Sequence, residues 1–338
     1  MQIKVLMYGF GFMGQTHAGN LLKNPRAELV GIVNPTRPID RLATIKGNLD
    51  TVTITADDIK DIPHFRSLEE AQASTKAQAI IVAVPTKLHC QAVLQCLDAG
   101  LDVFVEKPFA VSQEQCREMV KKATATKHLL TVGYVVRCMQ EYRLLRETIR
   151  SGRLGKLGYM KLSRITGLPN WGNWTNPDFI KASGGALFDL LSHDIDFARF
   201  CLGDPEEMET VCSFGKDPVS LTATRFQYPA AKVMVEGGFV TPSSYPFQRS
   251  FTAFFEHGTL ESTVGGKVTE YREGEDAVEH DFTGDNPFYT EIDHFLKALQ
   301  TGELSEELCL APDALKTIEC VTRIAETIKH PLPAEKEI

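Results

Sequence analysis

The sequence predicts two successive domains: an α/β domain with a parallel sheet, then an α+β domain built on a large, mainly antiparallel open sheet. Three observations lead to this fold class. Short apolar runs alternate with helical patterns up to about residue 125, a glycine-rich turn follows the first run, and after Val132 strand-like stretches follow one another directly. The length of 338 residues suits two domains of ~150 residues. The change of pattern gives expected domains of 1–128 and 129–338.

The first domain is predicted from a β-α-β alternation. Its expected elements are 3–8, 13–23, 29–33, 79–84, 89–99 and 102–105. This alternation is typical of a parallel sheet, because parallel strands need a crossover connection, most often a helix. The run 79–84 is apolar on both faces, so we expect it in the middle of the sheet with helices on both sides.

The second domain is predicted from strands that are joined by short turns. A helix is expected at 140–151, and strands are expected at 158–165, 209–214, 221–228, 232–239, 249–256 and 258–262. Two helices, 288–301 and 312–328, close the chain. The alternating apolar residues Phe251, Ala253 and Phe255 are expected on an open sheet face that needs a cover, which predicts a homodimer or homotetramer.

Composition and charge exclude several classes of protein. Asp and Glu outnumber Lys and Arg by 44 to 36, and a net charge of −8 argues against a nucleic-acid partner. The eight cysteines are scattered and have no metal-ligand spacing, so reduced, mostly buried thiols and no metal site are expected. No apolar run approaches the ~18 residues of a membrane span, and the first strand begins at Ile3. We therefore expect a cytoplasmic protein with no membrane partner.

The first predicted strand runs into the turn Gly9-Phe10-Gly11-Phe12-Met13-Gly14, which a helix follows. A G-x-G-x-x-G sequence between a strand and a helix is the dinucleotide-binding fingerprint of the Rossmann fold. Gly9 permits the tight turn, Gly11 lets a pyrophosphate approach the main chain, and Gly14 allows the helix to pack closely on the strand. Residues 9–14 are therefore expected to bind a dinucleotide; the alternative is a glycine-rich turn without a ligand.

The end of the second predicted strand bears on which dinucleotide is bound. In NAD-binding units an acidic residue near this position receives the ribose hydroxyls, and here the position is Asn34. Arg37, and Arg41 one turn further, offer guanidinium groups that can pair with a 2′-phosphate. This pattern favours NADP(H) over NAD(H). The alternative is that Asn34 binds the ribose of NAD(H) and both arginines are solvated surface charges.

Candidate catalytic residues occur in two places. Lys107, within the sequence Glu106-Lys107-Pro108, follows a predicted strand and is expected at the carboxyl edge of the parallel sheet, where such sheets bind ligands. Further on, residues 183–196 read SGGALFDLLSHDID. On a helix opened by the two glycines, Asp189 and His193 are four residues apart and Asp196 is three beyond, so all three are expected on one face.

These segments, in this order and with the sequence VPTKLH at 84–89, resemble the Gfo/Idh/MocA family, the glucose-fructose oxidoreductase and inositol dehydrogenase group. The resemblance extends over nearly the whole chain. It implies that Lys107 lies beside the nicotinamide and the substrate, that Asp189 orients the substrate, and that His193 transfers a proton. The peptide bond before Pro108 is a candidate for the cis form.

The resemblance also implies contacts with the cofactor. Pro85, Thr86 and His89 are expected along its nicotinamide half, and Glu106 near its ribose. His17, on the first predicted helix, is expected near the site without a catalytic role.

Other residues are candidates for the substrate pocket. Tyr134 and Arg137 begin the second domain, and Trp171 and Trp174 lie in a polar stretch before the predicted catalytic helix. Tyr134, Arg137 and Trp171 are expected to contact the substrate, since aromatic rings suit the apolar faces of a sugar. For both tryptophans, packing within the loop is an equal alternative.

The sequence thus predicts an NAD(P)-dependent dehydrogenase or reductase of carbohydrate metabolism. It would transfer a hydride between the nicotinamide and a carbinol or carbonyl carbon of a sugar, polyol, inositol or related compound, with His193 and Lys107 giving acid–base assistance. One alternative is a non-catalytic nucleotide-binding regulator, against which the joint presence of Lys107, Asp189 and His193 argues. Another is a reductase of a non-sugar substrate, such as a dihydrodiol or a tetrapyrrole.

Overall fold

Strands and helices alternate through the first part of the chain, as the apolar periodicity predicts. The computed structural model describes residues 1–35, 54–170, 174–213, 221–263 and 266–329. The strands in this part are β1 (Ile3–Tyr8), β2 (Ala27–Val33), β3 (His64–Phe65), β4 (Ala79–Val82), β5 (Asp102–Glu106) and β6 (Leu130–Gly133). The helices are α1 (Phe12–Lys23), α2 (Ala56–Ile59), α3 (Leu68–Thr75), α4 (His89–Asp98) and α5 (Gln113–Thr126), with 3₁₀ turns at Thr86–Leu88 and Val135–Cys138.

Strands dominate the second part of the chain. It begins with α6 (Gln140–Ser151), β7 (Leu157–Thr166), α7 (Pro177–Ala182), a π-helical turn at Ala186–Leu191 and α8 (Ser192–Leu202). The strands β8 (Glu207–Ser213), β9 (Leu221–Gln227), β10 (Lys232–Phe239), β11 (Gln248–Phe255), β12 (Gly258–Ser262), β13 (Lys267–Tyr271) and β14 (Val278–Asp281) follow. The last elements are α9 (Pro287–Thr301), β15 (Cys309–Leu310) and α10 (Ala311–Lys329). The strands β13 and β14 were not predicted from the sequence, because they are short and rich in charged residues.

The first sheet has seven strands in the order β15-β6-β5-β4-β1-β2-β3. Every neighbouring pair is parallel except β15 and β6. Because β1 pairs with β2 on one side and with β4 on the other, the order of the strands reverses between β1 and β4. Doubly wound sheets bind their ligands outside the carboxyl ends of the strands at such a point. The predicted Rossmann-type sheet is confirmed.

The core of the first unit lies against α1 and α9 on one face of this sheet. Val5 and Ile81 from the sheet and Ile292 and Phe295 from α9 have no exposed side-chain surface. Each fully buried side chain of this size stabilises the fold by about 1.5–3 kcal/mol. All four residues of β4 are fully buried, so its predicted position in the middle of the sheet is confirmed.

The second sheet has eight strands in the order β14-β13-β12-β11-β7-β10-β9-β8. Its neighbouring strands are antiparallel except for the parallel pair β7 and β10. Tyr142 of α6 contacts the rings of Phe197 in α8 and Phe251 in β11, at centroid distances of 4.9 and 5.3 Å. The helices α6 and α8 therefore cover one face of this mainly antiparallel sheet, which is the predicted fold class.

The expected open face of the second sheet needs a correction. Phe251 and Ala253, expected on the open face, are 1% and 0% exposed because they lie on the face that the helices cover. The opposite face carries Phe254, which is 49% exposed, and the ion pair of Lys161 with Glu236 at 2.8 Å. The alternation correctly predicts a strand, but its apolar residues lie on the covered face and not on the open one. Successive residues of a strand point to opposite faces, so the residues between them lie on the open face.

The described residues divide into two units whose limits differ from the predicted boundary at 128 and 129. The first unit contains Met1–Cys138 and Asn286–Lys316, and the second contains Met139–Asn170, Trp174–Asp285 and the chain from Thr317 onward. The strand β6 belongs to the first unit because it pairs with β5, and α9 belongs there because it packs on α1. Periodicity along the chain does not reveal that a late segment returns to the first unit.

All eight cysteines are thiols, and six of them are buried, as expected. Burial raises the pKa of Cys90 to about 11 and raises the pKa values of Cys96 and Cys116 further, so these thiols are unreactive near neutral pH. Among the helices of the described ranges, none combines the length and the apolar character that crossing a bilayer requires.

Candidate functional site

The glycine turn between β1 and α1 is shaped by two close approaches of the main chain. Gly9 has φ +89°, and a Cβ there would lie 2.6 Å from the carbonyl oxygen of Ala83. A Cβ at Gly14 would collide with the carbonyl oxygen of Gly9. Only glycine fits these two positions, because the turn folds back on itself and against the chain that follows β4.

Gly11 has the opposite environment. A Cβ there would meet no protein atom within 4 Å, and the residue is exposed. It precedes α1, which has no side-chain cap at its N-terminus and no acidic residue in its first turn. The open space therefore lies beside main-chain N–H groups and the positive end of a helix dipole, an arrangement that fits a dinucleotide phosphate.

The neighbouring side chains of the turn differ in exposure. Phe12 and Met13 are half-buried, whereas Phe10 is 4% exposed and packs in the core of the first unit. Phe10 can therefore contribute only its main chain to a ligand. At the end of β2, Asn34 is half-buried next to Val33, whose carbonyl accepts a hydrogen bond from the N–H of Gly9 at 2.9 Å. Arg37, like Arg41, lies outside the described residues.

The loop after β4 contains the residues expected along the nicotinamide half of the cofactor. Pro85 is exposed and Thr86 is half-buried. His89, in contrast, is 1% exposed, and its Nδ1 and Nε2 lie 3.0 and 2.9 Å from the carbonyl oxygens of Pro108 and Val84. Burial lowers the pKa of His89. The structure therefore shows His89 linking the loops after β4 and β5 through its ring, where the sequence analysis expected a cofactor contact.

Lys107 follows β5 and is half-buried at the carboxyl edge of the first sheet. The peptide bond between Lys107 and Pro108 is cis, as expected. The main-chain N–H of Lys107 donates a hydrogen bond to Oε2 of Glu106 at 3.1 Å. The other oxygen of Glu106, Oε1, accepts a hydrogen bond from Nε2 of His17 at 2.6 Å. Both carboxylate oxygens of Glu106 therefore have partners within the first unit.

The expected substrate residues of the first unit are buried. Tyr134 and Arg137 are each 2% exposed, and the guanidinium of Arg137 donates to the carboxylate of Asp313. These side chains thus take part in the packing of the first unit, where the sequence analysis expected a pocket lining. Trp171 lies outside the described residues.

Trp174, in the second unit, is 7% exposed. Its ring makes edge-to-face contacts with Phe179 and Phe239, each at 5.4 Å between centroids. For Trp174 the structure therefore agrees with the packing alternative.

Asp189 and His193 occupy two different kinds of helix in the second unit. Asp189 lies half-buried in the π-helical turn Ala186–Leu191, which follows Gly185, and His193 lies in the first turn of α8 with 9% exposure. Asp189 therefore belongs to a different helical segment from His193. That the two side chains share one face with Asp196 stays a prediction.

A buried ion pair holds the start of α8. The Nε and Nη2 atoms of Arg164 in β7 donate to the two carboxylate oxygens of Asp194, at 2.6 and 3.1 Å. The side chains are 4% and 0% exposed. Burial alone would lower the pKa of Arg164, but the charge of Asp194 raises it above its usual range, so the pair is ionised. Since Asp194 follows His193 directly, this pair fixes the main chain that carries the candidate proton-transfer residue.

Asp196 is fully buried and is therefore not a surface charge of α8. Its Oδ1 accepts a hydrogen bond from Oγ1 of Thr317 at 3.0 Å, and Thr317 accepts one from Nη1 of Arg199 at 2.8 Å. Arg199 in turn donates to Asp204 at 2.8 Å. This chain of hydrogen bonds joins α8 to α10 within the second unit.

The structure thus brings the predicted site residues together in two groups. The carboxyl edge of the first sheet carries the glycine turn, Asn34, the loop with Pro85 and Thr86, and Lys107, and the second unit carries Asp189 and His193. Arg164 and Asp194 were not predicted from the sequence. An available signal was an arginine inside an otherwise alternating strand, because a charged residue on a covered face requires a partner.

Comparisons with known proteins cover both parts of the chain. A family model described as "Oxidoreductase family, NAD-binding Rossmann fold" matches residues 3–134, and a model of the "GFO/IDH/MocA C-terminal domain" matches residues 142–261. Inositol 2-dehydrogenase of Rhizobium meliloti is 28% identical over 227 residues, which are 66% of this chain and 58% of that protein. The scyllo-inositol 2-dehydrogenase (NAD(+)) of Bacillus subtilis is 29% identical over 219 residues, 64% of this chain and 58% of that protein. The match thus spans 58% of the length of each of these two relatives.

Solved structures extend the similarity to the whole fold. A dehydrogenase from Chromobacterium violaceum superposes with a TM-score of 0.80 at 16% identity, covering 96% of this chain and 95% of that one. At this identity the superposition establishes the two-part fold. The two family models together establish the family.

Proposed function

Because the chain belongs to the Gfo/Idh/MocA family of oxidoreductases, we propose that it transfers a hydride between a nicotinamide dinucleotide and a carbinol or carbonyl carbon of a sugar, polyol, inositol or related compound. The observation that carries this proposal is the carboxyl edge of the first sheet. There, the space beside Gly11 suits a phosphate, and Lys107 follows a strand of the same parallel sheet. The two relatives described above are inositol dehydrogenases, which supports the substrate class.

The nicotinamide would supply or accept the hydride, and we assign the proton chemistry to side chains of this chain. His193 takes the proton of the substrate hydroxyl during oxidation and returns it during reduction, since an imidazole can do both near neutral pH. The ammonium group of Lys107 stabilises negative charge that develops on the substrate oxygen. Asp189 orients the substrate by accepting a hydrogen bond from one of its hydroxyls.

The replacement His193→Ala tests this proposal. The purified protein and the variant are incubated with NADP or NAD and with pooled inositols, aldoses, polyols and sugar acids, and the absorbance of the reduced nicotinamide is followed. Loss of a general base is expected to lower kcat by about 10²–10⁴-fold and to leave the Kd of the cofactor unchanged. The matched control is His257→Ala, at an exposed turn between β11 and β12, which should keep full turnover.

Two outcomes would contradict the proposal. Full turnover of the His193→Ala variant would remove His193 from the mechanism. If the intact protein binds a dinucleotide and reduces it with none of the pools, the non-catalytic regulator or the reductase of a non-sugar substrate becomes the better hypothesis.

The finer choice of cofactor is part of the proposal. We expect NADP(H) to be preferred, since Asn34 stands where a carboxylate would repel a 2′-phosphate and Arg37 can pair with that group. The measurement is the Kd of NADPH and of NADH by quenching of protein fluorescence. Arg37→Ala should weaken NADPH binding by about tenfold and leave NADH binding unchanged. Equal affinities for the two cofactors in the intact protein would contradict the preference.

The assembly and location predicted from the sequence also remain proposals. We expect a homodimer or a homotetramer; Phe251 and Ala253 no longer support this, but Phe254, 49% exposed on the opposite face, is an apolar side chain that a partner subunit would cover. Light scattering that shows a monomer would contradict it. We expect a cytoplasmic location, which cell fractionation tests.

A further inference from the structure

A cluster of polar side chains is buried behind Lys107 in the first unit. His17 from α1, Glu106 from β5 and Glu291 from α9 are 0%, 6% and 4% exposed. One potential ligand atom from each lies within 4.8 Å of the other two. The ring of His17 is enclosed by Phe104 and Phe288, at 5.5 and 6.3 Å between centroids. Such a cluster costs free energy of folding unless its hydrogen bonds compensate for the burial, so its presence at this edge calls for an explanation.

The hydrogen bonds of the cluster converge on Glu106. Its Oε1 accepts from Nε2 of His17 at 2.6 Å, and its Oε2 accepts from the main-chain N–H of Lys107 at 3.1 Å. A carboxylate can only accept, so the proton of the short bond belongs to His17. Gly133, on the adjacent β6, leaves space for the ring of Phe104 beside this pair, since a Cβ there would lie 3.0 Å from that ring.

The distances argue against a metal ion in this cluster. Zinc ligands at about 2.0–2.1 Å from a tetrahedral ion are separated from each other by more than 3 Å. The 2.6 Å between His17 Nε2 and Glu106 Oε1 is too short for two such ligands and fits a charge-assisted hydrogen bond. The geometry thus indicates a hydrogen-bonded pair.

The charges around the cluster are unequal for the two carboxyl groups. Burial alone would raise the pKa of Glu106, but the hydrogen bond from His17 and the neighbouring His17, Lys107 and His89 lower it below its usual range. Burial and the charge of Glu106 raise the pKa of Glu291 well above its usual range. Of the two carboxyl groups, Glu106 is therefore the one that ionises more readily.

We propose that the pair of His17 and Glu106 positions Lys107: His17 fixes one carboxylate oxygen, and the other oxygen fixes the main-chain N–H of Lys107. Glu106 is then a positioning residue and not a ligand of the cofactor ribose. His17, which was expected to have no catalytic role, acts on Lys107 through Glu106. This inference rests on the proposed function in assigning the reaction to Lys107. The orientation of Lys107 itself is a property of the first unit and can be measured separately.

Glu106→Gln is the central variant. Both partners of Glu106 are N–H donors, and glutamine offers one acceptor oxygen where the carboxylate offers two. One donor must therefore lose its acceptor. We expect kcat to fall by about 10–100-fold through misplacement of Lys107, with the Kd of the cofactor within about twofold of the original. The matched control is Glu291→Gln, an isosteric change at the other buried carboxyl of the cluster, which accepts neither of these two hydrogen bonds. It should leave both quantities unchanged.

Two variants of His17 keep the proposal testable if Glu106→Gln does not fold. Glutamine places a donor near the position of Nε2, so His17→Gln should retain kcat within about threefold. Leucine has no donor, so His17→Leu should lower kcat as Glu106→Gln does. Equal activity of the two His17 variants would overturn the proposal.

A readout without turnover separates this inference from the proposed function. Reductive ¹³C-methylation of the lysines gives a dimethyl-lysine NMR signal for Lys107, identified by its absence in Lys107→Arg. The signal should move in Glu106→Gln and His17→Leu and stay in place in Glu291→Gln and His17→Gln. A Lys107 signal that does not move in Glu106→Gln overturns the proposal. If the Kd of the cofactor rises in the same variant, Glu106 binds the cofactor instead of positioning Lys107. If the Lys107 signal moves in these variants but the intact protein reduces no nicotinamide with any of the pools, the positioning of Lys107 by Glu106 is supported and the proposed function is rejected.

Discussion

The two groups of candidate site residues are held in place by different kinds of interaction. In the first unit, main-chain geometry positions the glycine turn and the strand ends. Gly9 turns at positive φ, its N–H donates a hydrogen bond to the carbonyl of Val33, and the parallel strands end at one edge. In the second unit, buried side chains hold the helix that carries His193: Arg164 pairs with Asp194, and Asp196 bonds to Thr317. The glycine turn of the first group is sensitive to added side-chain atoms, and the second group is sensitive to lost charges.

This difference has an energetic basis. A main-chain turn of this kind requires that no side-chain atom occupies its space. A buried ion pair has already lost the hydration of both charges, so removal of one partner leaves the other charge without compensation. The second group should therefore show larger losses of stability for single substitutions than the first.

The largest expected effect is that of Asp194→Ala. It leaves the guanidinium of Arg164 buried and without its carboxylate, which should lower the free energy of unfolding by about 3–5 kcal/mol. The measurement is urea denaturation followed by the fluorescence of Trp174, which is buried against Phe179 and Phe239 in the same unit.

The matched control for Asp194→Ala is Glu209→Ala. Glu209 and Arg225 form an ion pair of the same length, 2.6 Å, in the same unit, but their side chains are 62% and 47% exposed. Exposed pairs contribute about 0–1 kcal/mol, so this variant should unfold close to the original midpoint. Equal losses in the two variants would mean that burial is not what makes the pair of Arg164 and Asp194 important.

The next effect concerns the glycine turn. Gly9→Ala places a side chain at positive φ and against the Ala83 carbonyl. It should lower the free energy of unfolding by about 1–3 kcal/mol, and it should also weaken cofactor binding. Gly11→Ala meets no protein atom within 4 Å, so it should leave the thermal midpoint unchanged and weaken only cofactor binding. Circular dichroism melts and cofactor titrations of the two variants test this. A destabilised Gly11→Ala variant, or one with full cofactor affinity, would contradict the assignment of that space to a phosphate.

The difference between main-chain geometry and buried side-chain pairs also decides which features could be predicted from the sequence. The glycine turn and the position of Lys107 depend on a few consecutive residues, so local pattern was enough to find them. Arg164 and Asp194 are 30 residues apart, and Glu106 and Glu291 come from two separate chain segments of the first unit. The partner of a buried charge is chosen by tertiary packing, which no local pattern contains.

Helix type and sheet face show a second limit. The spacing of Asp189 and His193 was interpreted with the α-helical period, whereas Asp189 lies in a π-helical turn. The alternation that includes Phe251 and Ala253 correctly predicts a strand, but it does not show which face the helices cover. The spacing of apolar residues identifies a strand or a helix, whereas the face that lies against the core depends on which elements pack against it.

The smallest of these effects is the acid response of a cluster around Glu270 in the second unit. The carboxylate accepts hydrogen bonds from Arg153 at 2.7 and 2.8 Å and from Arg272 at 2.8 Å, and these bonds lower the pKa of Glu270 from 4.5 to about 2. A lowered carboxyl pKa adds stability above pH 4.5 that is lost as the pH falls towards 2. Both arginines are partly exposed, so solvent screening reduces the contribution to about 1–2 kcal/mol.

Glu270→Gln isolates this contribution, because glutamine resembles the protonated carboxyl at every pH. The difference in the free energy of unfolding between the original protein and the variant should be about 1–2 kcal/mol at pH 6 and should shrink towards zero near pH 2.5. Urea denaturation at pH values between these limits, followed by Trp174 fluorescence, measures it. A difference that stays constant over this range would show that the cluster contributes shape and not charge. The cluster would then resemble the glycine turn of the first unit, which depends on shape and not on charge.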